Sequence, residues 1–234
     1  MKVIITGTTG MVGESVLIEC LESNAVESIL VINRNPLARQ HPKLKEILLG
    51  DFLKFDSIKD QLRGYDACFH CMGVSSIGKN EEDFTRPTFD FTKSLIDVLY
   101  ETNSQMVVNY VSGAGTDSTE KGKVMWARVK GKTENLILNK GFMDAYMFRA
   151  GAILPEKGVK SSTFWYNAIY VVLRPLFPFL RKMKSMTTSV HVGQAMINSV
   201  LLPQELKHLE NVDINALAQK KALKSSNEVS EKYI

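Results

Sequence analysis

Val3-Ile4-Ile5-Thr6-Gly7-Thr8-Thr9-Gly10-Met11-Val12-Gly13 stands near the start of a 234-residue sequence, and its reading decides the fold. Three β-branched apolar residues in a row predict a strand buried on both faces, and the spacing of Met11, Val16, Leu17, Cys20 and Leu21 predicts one apolar face of a helix. A strand therefore turns abruptly into a helix. The turn carries glycine at 7, 10 and 13, a G-x-x-G-x-x-G pattern. Gly7 would permit the tight turn, Gly10 would let backbone N–H groups approach a pyrophosphate, and Gly13 would let helix and strand pack closely. The helix N-terminus adds unpaired N–H donors and a partial positive charge. A glycine turn alone is weak evidence. With a strand before it and a helix after it, the stretch from Gly7 through Thr8, Thr9, Gly10, Met11 and Val12 to Gly13 reads as a nucleotide phosphate site.

Working outward, the chain is 44% hydrophobic, enough for one substantial α/β core and short for two independent ones. Residues 1–155 are expected to form that core and residues 156–234 a small cap that completes the same domain. Twenty-nine Lys and Arg against 25 Asp and Glu leave a net charge of +4 spread along the sequence, so nothing demands nucleic acid. The apolar run at Val3 is far shorter than a secretory h-region, which predicts a cytoplasmic protein; separately, a monomer or homodimer acting on a small molecule is expected. Three cysteines fit reduced thiols. Cys68 and Cys71 form C-x-x-C around Phe69 and His70, but on a strand, residues three apart sit roughly 10 Å apart on opposite faces. That exceeds the ~7 Å reach of a disulfide, and no second pair completes a zinc set.

Ser28 to Asn33 predicts a second strand, Leu44 to Leu49 a third, Asp56 to Leu62 a short polar helix, and Ala67 to Met72 a fourth strand ending at Gly73. Gly78 to Thr88 reads as a polar loop, Phe89 to Thr102 as a helix, and Met106 to Val111 as the fifth strand. Val124 to Asn139 is helical and Asp144 to Arg149 is the sixth strand. Strands alternating with helices in this way mean an α/β fold with a doubly wound parallel sheet. Phe164 to Leu180 holds an arginine and two prolines, which makes a poor membrane span, and is expected to cover a substrate pocket. Thr187-Thr188-Ser189 reads as the cap of a helix from Val190 to Leu202, Val212-Asp213-Ile214 as a last short strand, and Lys220 to Ile234 as a frayed tail.

The end of the second strand bears on nucleotide choice. Sites for NAD place a carboxylate about 20 positions past the glycines to meet the ribose 2′-hydroxyl. Asn33 and Arg34 stand there instead, and a guanidinium grips a 2′-phosphate with two hydrogen bonds where a carboxylate would repel it. NADP(H) is therefore expected over NAD(H). Asp51 and Phe52, after the third strand, could meet an adenine; equally, Phe52 could be core and Asp51 a helix cap.

Taken together, Thr6 to Gly13, Arg34, Asp51-Phe52, Cys71-Met72-Gly73, Ser112 at the end of the fifth strand and Phe148-Arg149-Ala150-Gly151 resemble the atypical short-chain dehydrogenase/reductases. Among them the chain is most similar to the small Tat-interacting-protein-like oxidoreductases, often described as nucleoside-diphosphate-sugar epimerase-like. The resemblance implies an NAD(P)-binding Rossmann fold. It further implies that Gly7 to Gly13 hold the pyrophosphate, Arg34 the 2′-phosphate, Asp51 and Phe52 the adenine, and Cys71, Met72 and Gly73 the adenosine ribose side.

Catalysis in that superfamily rests on a serine and on Tyr-x-x-x-Lys along a helix, where the lysine lowers the phenol pKa and holds the nicotinamide ribose. Here the sequence reads Trp126-Ala127-Arg128-Val129-Lys130. The lysine matches and the tyrosine does not. An indole N–H donates a hydrogen bond but is no acid near neutral pH, and loss of a general acid typically costs about 10²- to 10⁴-fold. Ser112, Lys130 and Trp126 are thus the candidate catalytic residues. Three routes follow: a proton from Tyr166, Ser112 or water; reduction of a bond needing little acid help, as in an enone or a quinone; or nucleotide binding without chemistry.

Overall fold

The computed structural model describes residues 1–159, 183 and 185–220. The expected pocket cover at Phe164 to Leu180, with Tyr166, and the tail beyond Lys220 lie outside the described residues. β1 (Lys2–Thr6) leads through the glycine turn into α1 (Met11–Glu22), followed by β2 (Ser28–Asn33), β3 (Leu44–Leu48), a 3₁₀ helix (Phe55–Leu62) and β4 (Ala67–His70). α2 (Glu81–Thr85) runs through a π turn (Arg86–Asp90) into α3 (Phe91–Thr102), then come β5 (Val107–Val111), α4 (Met125–Leu138) and β6 (Asp144–Arg149). The last described elements are β7 (Ala152–Leu154), β8 (Met186–Thr188), α5 (Ser189–Leu201), β9 (His208–Glu210) and α6 (Asn211–Gln219).

Seven strands form one parallel sheet in the order β3-β2-β1-β4-β5-β6-β9, and β7 pairs with β8 separately. Parallel strands need crossovers, and the crossovers put helices on both faces. Val3, Ile4 and Ile5 are accordingly sealed from solvent, each worth roughly 1.5–3 kcal/mol of burial. Val3, Ile5 and Phe69 share one face with Leu17 of α1, Met196 of α5 and Leu217 of α6. Ile4, Leu30 and Cys68 share the other with Phe55, Leu95 and Leu99. Strand order reverses between β1 and β4, so a crevice opens at the carboxyl ends of the strands there.

Two expectations fail. The stretch read as a loop to Thr88 is helical from Glu81, because Asn80 Oδ1 accepts from Asp83 N at 2.8 Å and three acidic residues fill the first turn. Pro87 does not end that helix. Lacking an N–H, it widens one turn, and Phe91 N reaches back five residues to Arg86 O. Val212-Asp213-Ile214 is not a strand but part of α6. Glu210 and Asp213 build a capping box, with the Asp213 carboxylate accepting from Glu210 N at 3.0 Å, and the strand is His208–Glu210 beside β6.

Candidate functional site

A cavity of 210 Å³ lies in that crevice. Gly7, Thr9, Gly10, Asn33, Arg34, Phe52, Cys71, Met72 and Gly73, all expected from the sequence, line it. Asn35, Val74, Pro87 and Phe91 line it too and were not foreseen. For Pro87 and Phe91 a signal existed: Asn80-Glu81-Glu82-Asp83 is a helix start, and it carries the following turns over the strand ends.

The glycines divide the work. Gly7 has φ +76°, and a Cβ there would lie 2.6 Å from the Cys71 carbonyl carbon and Met72 N. A Cβ on Gly13 would lie 2.2 Å from Gly7 O, so this residue lets α1 close on the turn from behind. Gly10 is the N-cap of α1 and no side chain caps that end, which leaves first-turn N–H groups for an anion. Thr8 is buried and does not line the cavity; its Oγ1 donates to Asn33 Oδ1 at 2.8 Å. Met11 and Val12 belong to the first turn of α1, outside the lining.

Asp51 neither caps the following helix, whose N-cap is Lys54, nor lines the cavity; its Oδ1 accepts from Leu53 N at 3.0 Å within the turn before that helix. Phe52 is core and lining at once. It is only 6% exposed, stacks on Phe55 with centroids 5.6 Å apart and meets Phe91 edge-on at 5.8 Å. The Arg34 guanidinium stands 5.7 Å from the Phe52 ring centroid, and among the described residues no carboxylate pairs with it.

His70, at the end of β4, ties the crevice together. Its Nδ1 is 2.7 Å from Thr6 Oγ1 and its Nε2 is 2.8 Å from Thr92 Oγ1. Thr92 donates its own proton to Thr88 O at 2.6 Å, so Nε2 carries the hydrogen and Nδ1 accepts from Thr6. Burial, with Lys130 adding to it, pulls the pKa down to about 3, and the ring is neutral. Cys68 and Cys71 fall on opposite faces of the sheet, and burial pushes both thiols up, Cys68 to about 12.

A second group gathers at the end of β5. Lys130 Nζ donates to the main-chain carbonyl of Ser112, whose own Oγ is buried without a partner among the described residues. Burial pulls the Lys130 pKa down to about 8, with Glu134, one turn along α4, acting against it. Trp126 lies one turn before Lys130. Its indole covers the loop after β5, where a Cβ on Gly113 or Gly115 would come within 3.9 and 3.7 Å of the ring. The i, i+4 spacing thus delivers an amine and an indole to the same loop.

Residues 3–125, more than half of the chain, match the family model described as the NAD dependent epimerase/dehydratase family. Over 161 residues the chain is 27% identical to Protein FMP52, mitochondrial, of Candida albicans, covering 67% of this chain and 69% of that one. It is 24% identical over 158 residues to Protein HTATIP2 of Rattus norvegicus, covering 67% of this chain and 64% of that one. In structure it is similar to MoeE5 in complex with UDP-glucose and NAD, with TM-score 0.66 and 16% identity over 90% of this chain and 75% of that one. Uronate dehydrogenase from Agrobacterium tumefaciens gives 0.64 and 15%, over 90% and 76%. At such identities the likeness is one of fold. Among the described residues no helix is long and apolar enough to cross a membrane. The match over most of the sheet leaves no doubt of kinship: the chain belongs to the NAD dependent epimerase/dehydratase family, NAD(P)-binding and oxidoreductase-like on a Rossmann-like α/β fold.

Proposed function

We propose that the chain is an NADP(H)-dependent oxidoreductase that passes hydride to a small carbonyl, enone or nucleotide-sugar-like substrate. The observation carrying the choice of nucleotide is Arg34: exposed, lining the cavity, held against Phe52 and without a carboxylate partner among the described residues. A guanidinium in that state takes a phosphate with two parallel hydrogen bonds. The other residues fit the same ligand. The uncapped start of α1 at Gly10 offers donors to a pyrophosphate, Phe52 lends the cavity an apolar wall beside the place of an adenine, and Met72 and Gly73 leave room beside an adenosine ribose.

A bound reduced nicotinamide supplies the hydride. Ser112 Oγ, buried with no partner among the described residues, is a group suited to a substrate oxygen. Lys130, anchored on the Ser112 carbonyl, is placed to fix the ribose. A second reading, a non-catalytic NADP(H)-binding regulatory protein, is favoured by Trp126, which stands four residues before Lys130 where the superfamily pattern has a tyrosine. We also propose a cytoplasmic monomer or homodimer; the mitochondrial label belongs to the FMP52 name.

Titrating wild type and Arg34→Ala with NADPH and NADH tests the nucleotide. The expected outcome is NADPH weakened about 10- to 100-fold, the worth of a charge-assisted hydrogen bond, and NADH hardly changed. Equal weakening of both overturns the assignment. Following loss of reduced-nicotinamide absorbance with a panel of carbonyls, enones and quinones separates the two readings: turnover abolished by Ser112→Ala supports the enzyme, silence across the panel the binder.

A further inference from the structure

We propose that Glu46 is the positioning residue of the 2′-phosphate subsite, a carboxylate on β3 that holds the Arg34 loop in its working shape. The inference rests on the NADP(H) reading of Arg34. The β2–β3 register sets Glu46 opposite Val31, two residues before Asn33. From there one oxygen, Oε1, accepts from Asn33 Nδ2 at 3.1 Å and from Leu37 N at 3.0 Å. Those donors bracket Arg34-Asn35-Pro36, of which Arg34 and Asn35 line the cavity.

The clip reaches further than the loop. A carboxylate has no proton to give, so it turns the Asn33 nitrogen toward itself and the Asn33 oxygen away. That oxygen then accepts from Thr8 Oγ1 at 2.8 Å, and Thr8 belongs to the glycine turn. One acceptor therefore registers the phosphate turn, the end of β2 and the loop that carries the guanidinium. Among the described residues no hydrogen bond or ion pair anchors the Arg34 side chain, whose guanidinium stands over the Phe52 ring, so its placement depends on the loop this clip holds, and a loop fixed before the ligand arrives spares the ordering cost on binding. Repulsion between Glu46 and a phosphate works the other way. Glu46 does not line the cavity, and its engaged oxygen already faces two N–H donors.

Calorimetric titration of the full chain with NADPH and NADH separates these effects through the ratio of the two affinities. Glu46→Ala is expected to lower the ratio about tenfold by freeing the loop. Glu46→Gln, whose amide oxygen can accept from the same two donors, is expected to keep or raise it. An unchanged ratio in Glu46→Ala overturns the proposal, as does a rise in both variants, which would leave repulsion as the only effect of this carboxylate. If Glu46→Ala does not fold, Glu46→Thr, suited to an edge strand, carries the same expectation. A wild type with no preference for NADPH, unmoved by Arg34→Ala, would instead sink the reading on which this rests.

Discussion

The residue under the tightest constraint is His70. Both ring nitrogens are committed to threonine hydroxyls and no part of the ring reaches solvent, so protonation would cost a hydrogen bond as well as desolvation. Its folded pKa of about 3 lies below the ordinary value of 6.5. Between those values the unfolded chain takes up a proton that the folded ring refuses. Stability is therefore whole above about pH 6.5 and is lost as pH falls toward 3, at up to about 1.4 kcal/mol per pH unit from this group. Urea unfolding between pH 6.5 and 5, above the carboxylate range, is the check: His70→Gln should flatten the slope, and an unchanged slope would assign it elsewhere. The sequence offered His70 only as a filler of C-x-x-C, because nothing local announces Thr6 and Thr92 as its partners. Asp51 and Phe52 were legible only as alternatives; packing buried Phe52 against Phe55 at the cavity wall and left Asp51 in a turn before the 3₁₀ helix.

At the scale of the element, α4 decides whether Lys130 and Ser112 meet. Asp117 N donates to Ala127 O at 3.1 Å, and a Cβ on Gly131 would lie 1.8 Å from Asp117 O, so the loop after β5 crosses the helix in direct backbone contact. Gly131 makes that crossing possible. Gly131→Ala gains up to about 1 kcal/mol in helix propensity and is expected to lose more by collision, a net cost of about 1–3 kcal/mol in urea unfolding. A variant as stable as wild type would show that the loop yields freely. Helical periodicity made α4 visible in the sequence, and i, i+4 spacing made its Trp126 and Lys130 visible together. Gly131 drew no notice, since a mid-helix glycine has meaning only once another segment lies against it.

At the scale of the molecule, Glu134 joins α4 to the far edge of the sheet. It is fully buried, accepts from Arg149 Nε at 3.0 and 3.2 Å at the end of β6, and stands 3.5 Å from His208 Nε2 on β9. Arg149→Leu strands a buried carboxylate and is expected to cost about 3–5 kcal/mol, while Arg149→Leu with Glu134→Leu should recover much of it. Thermal and urea unfolding of the three chains checks both, and an additive double variant would remove the coupling.

The same scale separates what the chain alone settled from what folding had to supply. Runs of β-branched residues, helical spacing and the glycine interval are local patterns, written in neighbouring residues, and they determined the parallel sheet, the glycine turn and the position of Arg34. The three-residue strand β9, the two hydroxyls on His70 and the clip from Glu46 to Asn33 were decided only in the tertiary structure. Each depends on groups brought within about 3 Å by strand pairing or helix packing, and distance in space between residues remote in the chain has no local signature.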